Sequence, residues 1–345
     1  MPASPIFEPD QPGRSPAPTV VVQTQPSGWR SWGFRLLAAA LVISLFFNLG
    51  FYAAFHEYYS NTEPPIEKYH SGDKLATDKI VVLKMSGTIM PPFTERWLEQ
   101  VKHAEEAEEV KGVLLAVDSP GGFVADSHQL YHRLKKLSEK KPVFVQMKRM
   151  AASGGYYIAM GAGPKARIFA EPTTWTGSIG VIIPRYDISK LAEKFGVESE
   201  PLKTGEFKDA LSPFRPLSEG ERKVWENILS QSFEQFVEVI DSNRDNLGTD
   251  QIKALATGQV YTAKDALASG LIDGIGFEDD ALDALKQQLG LTKVRIVTYE
   301  HQTTLVDVLL GEARTRSASD PVRSLLESSV PRALYYCSWL PPLPE

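Results

Sequence analysis

Ser153 stands in MKRMAASGGYYIAMGAG, residues 147–163, between two alanines and two glycines. A serine hydroxyl there is a candidate nucleophile, given a base for its proton and donors for an oxyanion. The plainer role for a serine in such a turn is to cap the following helix. Two features favour chemistry. The turn sets Ser153 at a helix N-terminus, where backbone N–H groups are free. A second glycine turn, DSPGG at 118–122, ends the preceding strand. One N–H donor from each turn would make an oxyanion hole.

The base is not local. The histidines are His56, His70, His103, His128, His132 and His301, and none lies within twenty residues of Ser153. His128 and His132 form an H-x-x-x-H pair, but Gln129 holds the slot where a zinc protease needs Glu, so both are expected on a helix face. No G-x-S-x-G elbow occurs. The S-x-x-K matches Ser71–Lys74 and Ser138–Lys141 sit in charged, loop-like or helix-end contexts. A lysine from elsewhere remains. To act as a base it must be neutral, its pKa brought from about 10.4 toward roughly 7–8, a preference of about 4 kcal/mol that apolar burial can supply. The loop PLKTGEFKDALSPFRPLSEGE, 201–221, offers Lys203 and Lys208. Lys208, flanked by Phe207, Ala210 and Leu211, is the better placed for desolvation, provided Asp209 points away. Spacing alone leaves both open.

These residues ride on a repeated pattern of strand, glycine turn and helix. KIVVLKMSGTIM reads as a β-rich run, TERWLEQVKHAEEAEEVKG as a charged helix and GVLLAVDSPGG as a buried strand with its turn. ADSHQLYHRLKKLSEK is a helix, KPVFVQMKRM a strand, AASGG a turn and YYIAMGAG a helix. Both turns lie where a parallel strand hands over to a helix, the edge of an α/β sheet where ligands sit. RIFAEPTTWTGSIGVIIPRYDI adds short strands, RKVWENILSQSFEQFVEVIDSNR a long helix, and VYTAKDALASGLIDGIG a closing helix and turn.

Composition excludes several classes. The 345 residues carry a net charge of −6, with no basic face for nucleic acid. The single cysteine, Cys337, can make neither an internal disulfide nor a cysteine-based metal site. No cofactor or metal is expected. Residues 1–35 read as a disordered, Pro-rich cytoplasmic arm. Leu36 to Phe55 is an uncharged run of twenty, about 30 Å as a helix, and is expected to span a lipid bilayer. A cleaved signal peptide fits worse, because the leader is long and no A-x-A site follows. Arg30 and Arg35 before the span favour a cytoplasmic N-terminus, with the bulk of the chain on the periplasmic side. Residues 56–78 read as a linker, 79–300 as the catalytic domain and 301–345 as a tail.

The stretches DSPGG (118–122), AASGGYYIAMGA (151–162), TGSIGVI (176–182), GEFKDALSPFRPLSEGER (205–222) and VYTAKDALASGLIDGIG (260–276) together resemble the signal peptide peptidases of the SppA type, short form. That resemblance implies an α/β, ClpP/crotonase-like superhelix preceded by one transmembrane helix. It implies a membrane-anchored serine endopeptidase, with Ser153 as nucleophile and Lys208 rather than Lys203 as general base and acid. Gly154 with Gly121 or Gly122 would supply the oxyanion N–H groups, and Ser178 would orient the lysine. Hydrophobic peptides such as released signal peptides are the implied substrates, and a homo-oligomer the implied assembly. The rival readings are a catalytically dead peptide-binding scaffold of the same fold and a crotonase-type acyl-CoA enzyme.

Overall fold

The computed structural model describes residues 28–60, 65–300 and 334–336. The expected N-terminal arm up to residue 27 and the tail after 300, apart from 334–336, lie outside the described residues, as does Cys337. The chain divides into two units, Met1–Glu63 and Pro64–Glu345.

The first unit contributes one helix, α1 (Gly28–Ser60). Its stretch Trp32–Tyr52 is long and apolar enough to cross a membrane. Two polar residues of that stretch satisfy each other within the helix: Asn48 Nδ2 donates to the Ser44 carbonyl at 2.7 Å and to Ser44 Oγ at 3.2 Å. Internal pairing of this kind lowers the cost of polar groups in lipid.

The second unit is built on parallel strands. In chain order it holds β1 (Ile66–Gly72), β2 (Lys79–Ser86), α2 (Phe93–Glu106), β3 (Val110–Ser119), β4 (Gly121–Phe123), α3 (Val124–Lys140), β5 (Val143–Ala152) and α4 (Gly154–Ala159). Then come β6 (Ile168–Ala170), β7 (Trp175–Gly177), α5 (Ser189–Lys194), α6 (Glu219–Asp241), α7 (Thr249–Leu255), β8 (Val260–Thr262), α8 (Ala263–Ala268), β9 (Gly274–Ile275), α9 (Glu278–Leu289), β10 (Arg295–Glu300) and β11 (Leu334–Tyr336). The main sheet runs β1-β10-β2-β3-β5-β6-β9, parallel throughout except for the β1–β10 pair. β7 adds to the far end of β5 in parallel, and β8 pairs antiparallel with β7. β11 lies apart, antiparallel to β4.

The apolar strand runs are continuous because both sheet faces are covered. Val81, Leu83, Val113, Leu115 and Val145 pack under α2, α3 and α4, whereas Ile80, Val82, Leu114 and Phe144 face α9 through Ala281, Leu282 and Leu285. Neighbouring residues of one strand thus serve opposite cores, as a period of two requires.

The strands and helices expected between residues 79 and 276 are present, with α5, α7 and the short strands β4, β8 and β9 in addition. Two further features depart from the sequence reading. Residues 66–72, inside the expected linker, form the edge strand β1, whose charged side chains suit a sheet edge. α9 and β10, near the end of the described domain, have no counterpart in the sequence reading; β10 inserts between β1 and β2.

The far end of α6 is fixed by Arg244, whose guanidinium meets both Asp273 oxygens at 2.9 Å and donates to the Gly270 carbonyl. Asp273 also accepts the Ile168 N–H at 2.8 Å. Arg244 is buried, so Arg244→Met removes one partner of a shielded pair and should cost roughly 3 kcal/mol. The expected result is a fall of about 6–12 °C in the thermal unfolding midpoint.

Candidate active site

β3 ends in DSPGG because its last carboxylate has backbone work to do. Asp118 accepts from Arg149 Nε at 2.8 Å and from the Met150 N–H at 3.3 Å, tying the end of β3 to the last turn of β5. Ser119 Oγ accepts the Gly121 N–H at 3.1 Å. Gly121 has φ 103°, a conformation open to glycine, and its carbonyl accepts the Ile89 N–H at 2.9 Å. At Gly122 a Cβ would lie 2.0 Å from the Ile89 carbonyl oxygen, so only glycine fits there.

β5 ends at Ser153, which has φ 55° and ψ −114°. That region is costly for any residue with a Cβ, by about 1–3 kcal/mol, and easy for glycine. The surroundings hold it there. The Ser153 N–H donates to the Gly177 carbonyl at 2.7 Å, and its carbonyl accepts the Tyr157 N–H at 2.9 Å. Ser153 is 1% exposed, and its Oγ has no hydrogen-bond partner among the described residues. A strained serine with an unpaired, buried hydroxyl in a glycine-compatible turn points to chemistry rather than to capping. Consistent with that, Ser153 makes no side-chain cap bond to α4.

The two turns touch through their backbones. A Cβ on Gly154 would lie 3.1 Å from both Gly121 Cα and the Gly122 nitrogen, and 2.6 Å from Ser127 Oγ. One on Gly155 would lie 2.7 Å from the Ser119 carbonyl oxygen. Glycines 154 and 155 therefore let α4 start hard against the end of β3, with the free N–H groups of its first turn beside Gly122. Of the two candidate donors in this turn, the Gly121 N–H is taken by Ser119, whereas Gly122 pairs with Tyr335 of β11. Ser178 follows Gly177, the residue whose carbonyl receives the Ser153 N–H. It too has a positive φ of 51° and is fixed by its N–H to the Gln259 carbonyl at 2.7 Å. The structure thus gathers Ser153, Gly154, Gly121, Gly122 and Ser178 in one place.

Lys208 is not part of that gathering. It lies in a run of tight turns before α6, where its N–H donates to the Gly205 carbonyl at 3.2 Å, and its side chain is exposed. The apolar cover expected of a neutral lysine is absent around it among the described residues of the single chain. Asp209, however, does turn elsewhere. Its carboxylate takes Lys203 Nζ at 2.6 Å and both Arg215 Nε and Nη2, at 3.0 and 2.9 Å. Hydrogen bonds from Arg215 and then Lys203 hold the Asp209 carboxyl well below the usual carboxylate range. Lys203 is thereby engaged in an ion pair, whereas Lys208 forms none among the described residues. His128, expected on a helix face, bonds the Tyr157 hydroxyl through Nδ1 at 2.8 Å, and burial lowers its pKa.

β4, the strand that carries Gly121 and Gly122, also accepts an extended partner: Tyr336 pairs with Gly121, Tyr335 with Gly122 and Leu334 with Phe123. The sequence singles out the glycines as candidates but not Ser119, Arg215 or Glu221. The last was legible as the S-x-x-E capping box that opens α6.

If backbone strain is built into Ser153, glycine should relieve it where alanine cannot. Ser153→Gly is expected to be more stable than Ser153→Ala by about 1 kcal/mol, against the usual entropic penalty of glycine. Paired denaturant unfolding curves check this, and equal or reversed midpoints would remove the strain argument.

The comparisons with known proteins fall on these same segments. The peptidase family S49 model matches residues 135–292, and the Clp protease model matches residues 65–176. A protein of Enterococcus faecium named as a signal peptide peptidase SppA is 35% identical over 302 residues, which is 81% of this chain and 86% of that one. The chloroplastic serine protease SPPA of Arabidopsis thaliana is 32% identical over 71% of this chain, which spans 38% of that longer protein. Among solved structures, a point mutant of ClpP1 from Listeria monocytogenes aligns with a TM-score of 0.41 at 17% identity, covering 58% of this chain and 94% of that one. The chain belongs to peptidase family S49 and is a serine protease with a ClpP-like α/β fold.

Proposed function

We propose that this serine protease is a membrane-anchored endopeptidase that cleaves hydrophobic peptides, released signal peptides among them, through a Ser153–Lys208 dyad. The observation that carries the reading is the buried, unpaired Ser153 Oγ in strained backbone, one residue from the contact between Gly154 and Gly122. Lys208, neutral, takes the proton as Oγ attacks the scissile carbonyl. The Gly154 and Gly122 N–H groups hold the oxyanion, and Ser178 orients the lysine. The lysine ammonium then protonates the leaving amine, and water hydrolyses the acyl-enzyme.

The pairing of β11 with β4 supports an extended peptide as substrate, because it puts a strand backbone directly beside the oxyanion glycines. The E. faecium relative's name supports the substrate class. α1 supports anchoring, and Arg35 in the first turn of the span supports a cytoplasmic N-terminus with the catalytic domain on the periplasmic side. A homo-oligomer belongs to the same proposal. Exposed Tyr186, Phe195 and Leu202 crowd the segment that leads to Lys208, and a second copy packed there would supply the apolar surroundings a neutral lysine needs.

The test is cleavage of a signal-sequence peptide by the full chain in detergent micelles. Ser153→Ala and Lys208→Ala should each lose activity by about 10³-fold or more, on the order of a lost nucleophile or base. Lys203→Ala should keep most of it. Because the base must be deprotonated, activity should rise with pH and peak above neutrality. Cleavage that survives either dyad substitution, or an optimum near about pH 5, sinks the mechanism.

A further inference from the structure

The segment that bears Lys208 has no helix or strand to hold it, yet one side chain reaches both of its ends. Arg215 donates to Asp209 through Nε and Nη2, and also to the Asp209 main-chain carbonyl at 3.2 Å. Its other prong goes to Glu221, with Nη1 to Oε2 at 2.9 Å and Nη2 to Oε1. Glu221 is 2% exposed and completes the capping box of α6 from its third helical position, accepting the N–H of the N-cap Ser218 at 2.9 Å. The hydrogen bonds from Arg215 lower its pKa to about 2. A carboxylate buried so deeply requires a fixed cation, so Arg215 is pinned by the helix start and in turn pins Asp209.

We propose that Arg215 is a positioning residue for the reaction: by engaging the Asp209 carboxylate it keeps that charge off the adjacent Lys208 and leaves the lysine able to act as a base. The inference rests on the reading of Lys208 as the base. The physical need is direct. Asp209 is the next residue after Lys208, and an unengaged carboxylate within about 4–6 Å of an amine stabilises the ammonium by roughly one to three pH units. The neighbouring charges do not replace Arg215. Lys203 reaches only Asp209 Oδ1 and the Glu206 carbonyl. Glu206 lies near Gly220 and would add to the negative charge. Arg185 is directed to the Ser212 and Arg215 carbonyls and to Asp187. The planar fork of an arginine, serving two carboxylates at once, is the feature a lysine cannot reproduce.

The experiment is the pH profile of kcat/KM for signal-sequence peptide cleavage by the full chain in micelles. In Arg215→Met the acid limb should move up by about one pH unit, with about tenfold less activity at neutral pH, recovered as the pH is raised. Adding Asp209→Asn to Arg215→Met should return the limb to its original position. Arg215→Lys, which keeps the buried Glu221 paired and so guards against a folding failure, should give an intermediate displacement. A loss of activity with an unmoved limb, or a limb that Asp209→Asn fails to restore, would make Arg215 a structural brace only and overturn the proposal. Lys208→Ala separates the two claims. Cleavage that persists without Lys208 refutes the base itself, whereas an inactive Lys208→Ala beside an unmoved Arg215→Met limb refutes only the role of Arg215.

Discussion

Two chain turns meet where no side chain has room to stand, and the arrangement of the active site follows from that contact. Gly154 lies so close to Gly121 and Gly122 that a single methyl group would sit 3.1 Å from backbone atoms of both. The contact exists because β3 and β5 are parallel neighbours that end together, each followed by a helix on the same face of the sheet. Parallel strands that end together bring the turn after β3, carrying β4, against the start of α4, where the first-turn N–H groups are free. Glycine is required for the approach itself. At Ser153, by contrast, the backbone would suit glycine and a serine is present instead, so the hydroxyl is retained against a local cost.

Electrostatics in the segment before α6 obey a different constraint. A serine has no useful nucleophilicity without a base, and an ammonium is not one. The segment is nevertheless dense in charge, with Lys203, Glu206, Asp209, Arg215 and Glu221 close in sequence to Lys208. Their pairing is selective. The carboxylates of Asp209 and Glu221 are consumed by Arg215 and Lys203, and among the described residues no ion pair includes Lys208. In the proposed mechanism the exposure of Lys208 in the single chain is the remaining obstacle to a neutral amine, and the proposed homo-oligomer would remove it. Within the proposed mechanism, electrostatic release is built into the fold and desolvation is left to assembly.

How much of this the residues disclosed depended on the range of the interactions concerned. Strands β2, β3 and β5 were legible because they are buried on both faces and read as unbroken apolar runs. The glycine turns were legible because DSPGG and AASGG are short and local. β1 was not, because IEKYHSG is an edge strand with mostly polar, exposed residues, and its partner Arg295–Glu300 lies at the far end of the domain in sequence. Spacing could not separate Lys203 from Lys208. What distinguishes them in three dimensions is that Asp209 faces Arg215 and Lys203, which ties up one lysine and leaves the other without an ion partner. Arg215 itself, in SPFRPLS, reads as an ordinary surface cation until Glu221 is seen to be buried.

The pairing of Leu334–Tyr336 with β4 bears on how a protease of this construction reads its substrates. β4 is three residues long and two of them are glycine, so it offers an incoming strand mainly backbone groups. Main-chain pairing is nearly indifferent to sequence, and in the proposed mechanism it would align a peptide bond beside the oxyanion donors whatever side chains flank it. Under the proposed function, selectivity would then come from elsewhere, first of all from the requirement that the peptide be extended. A folded protein satisfies its own backbone and cannot offer such a strand, whereas a peptide released into or beside a bilayer can. Under the proposed function, a nucleophile at Ser153 beside a strand that pairs through its backbone would suit the removal of many unrelated hydrophobic peptides better than the processing of one.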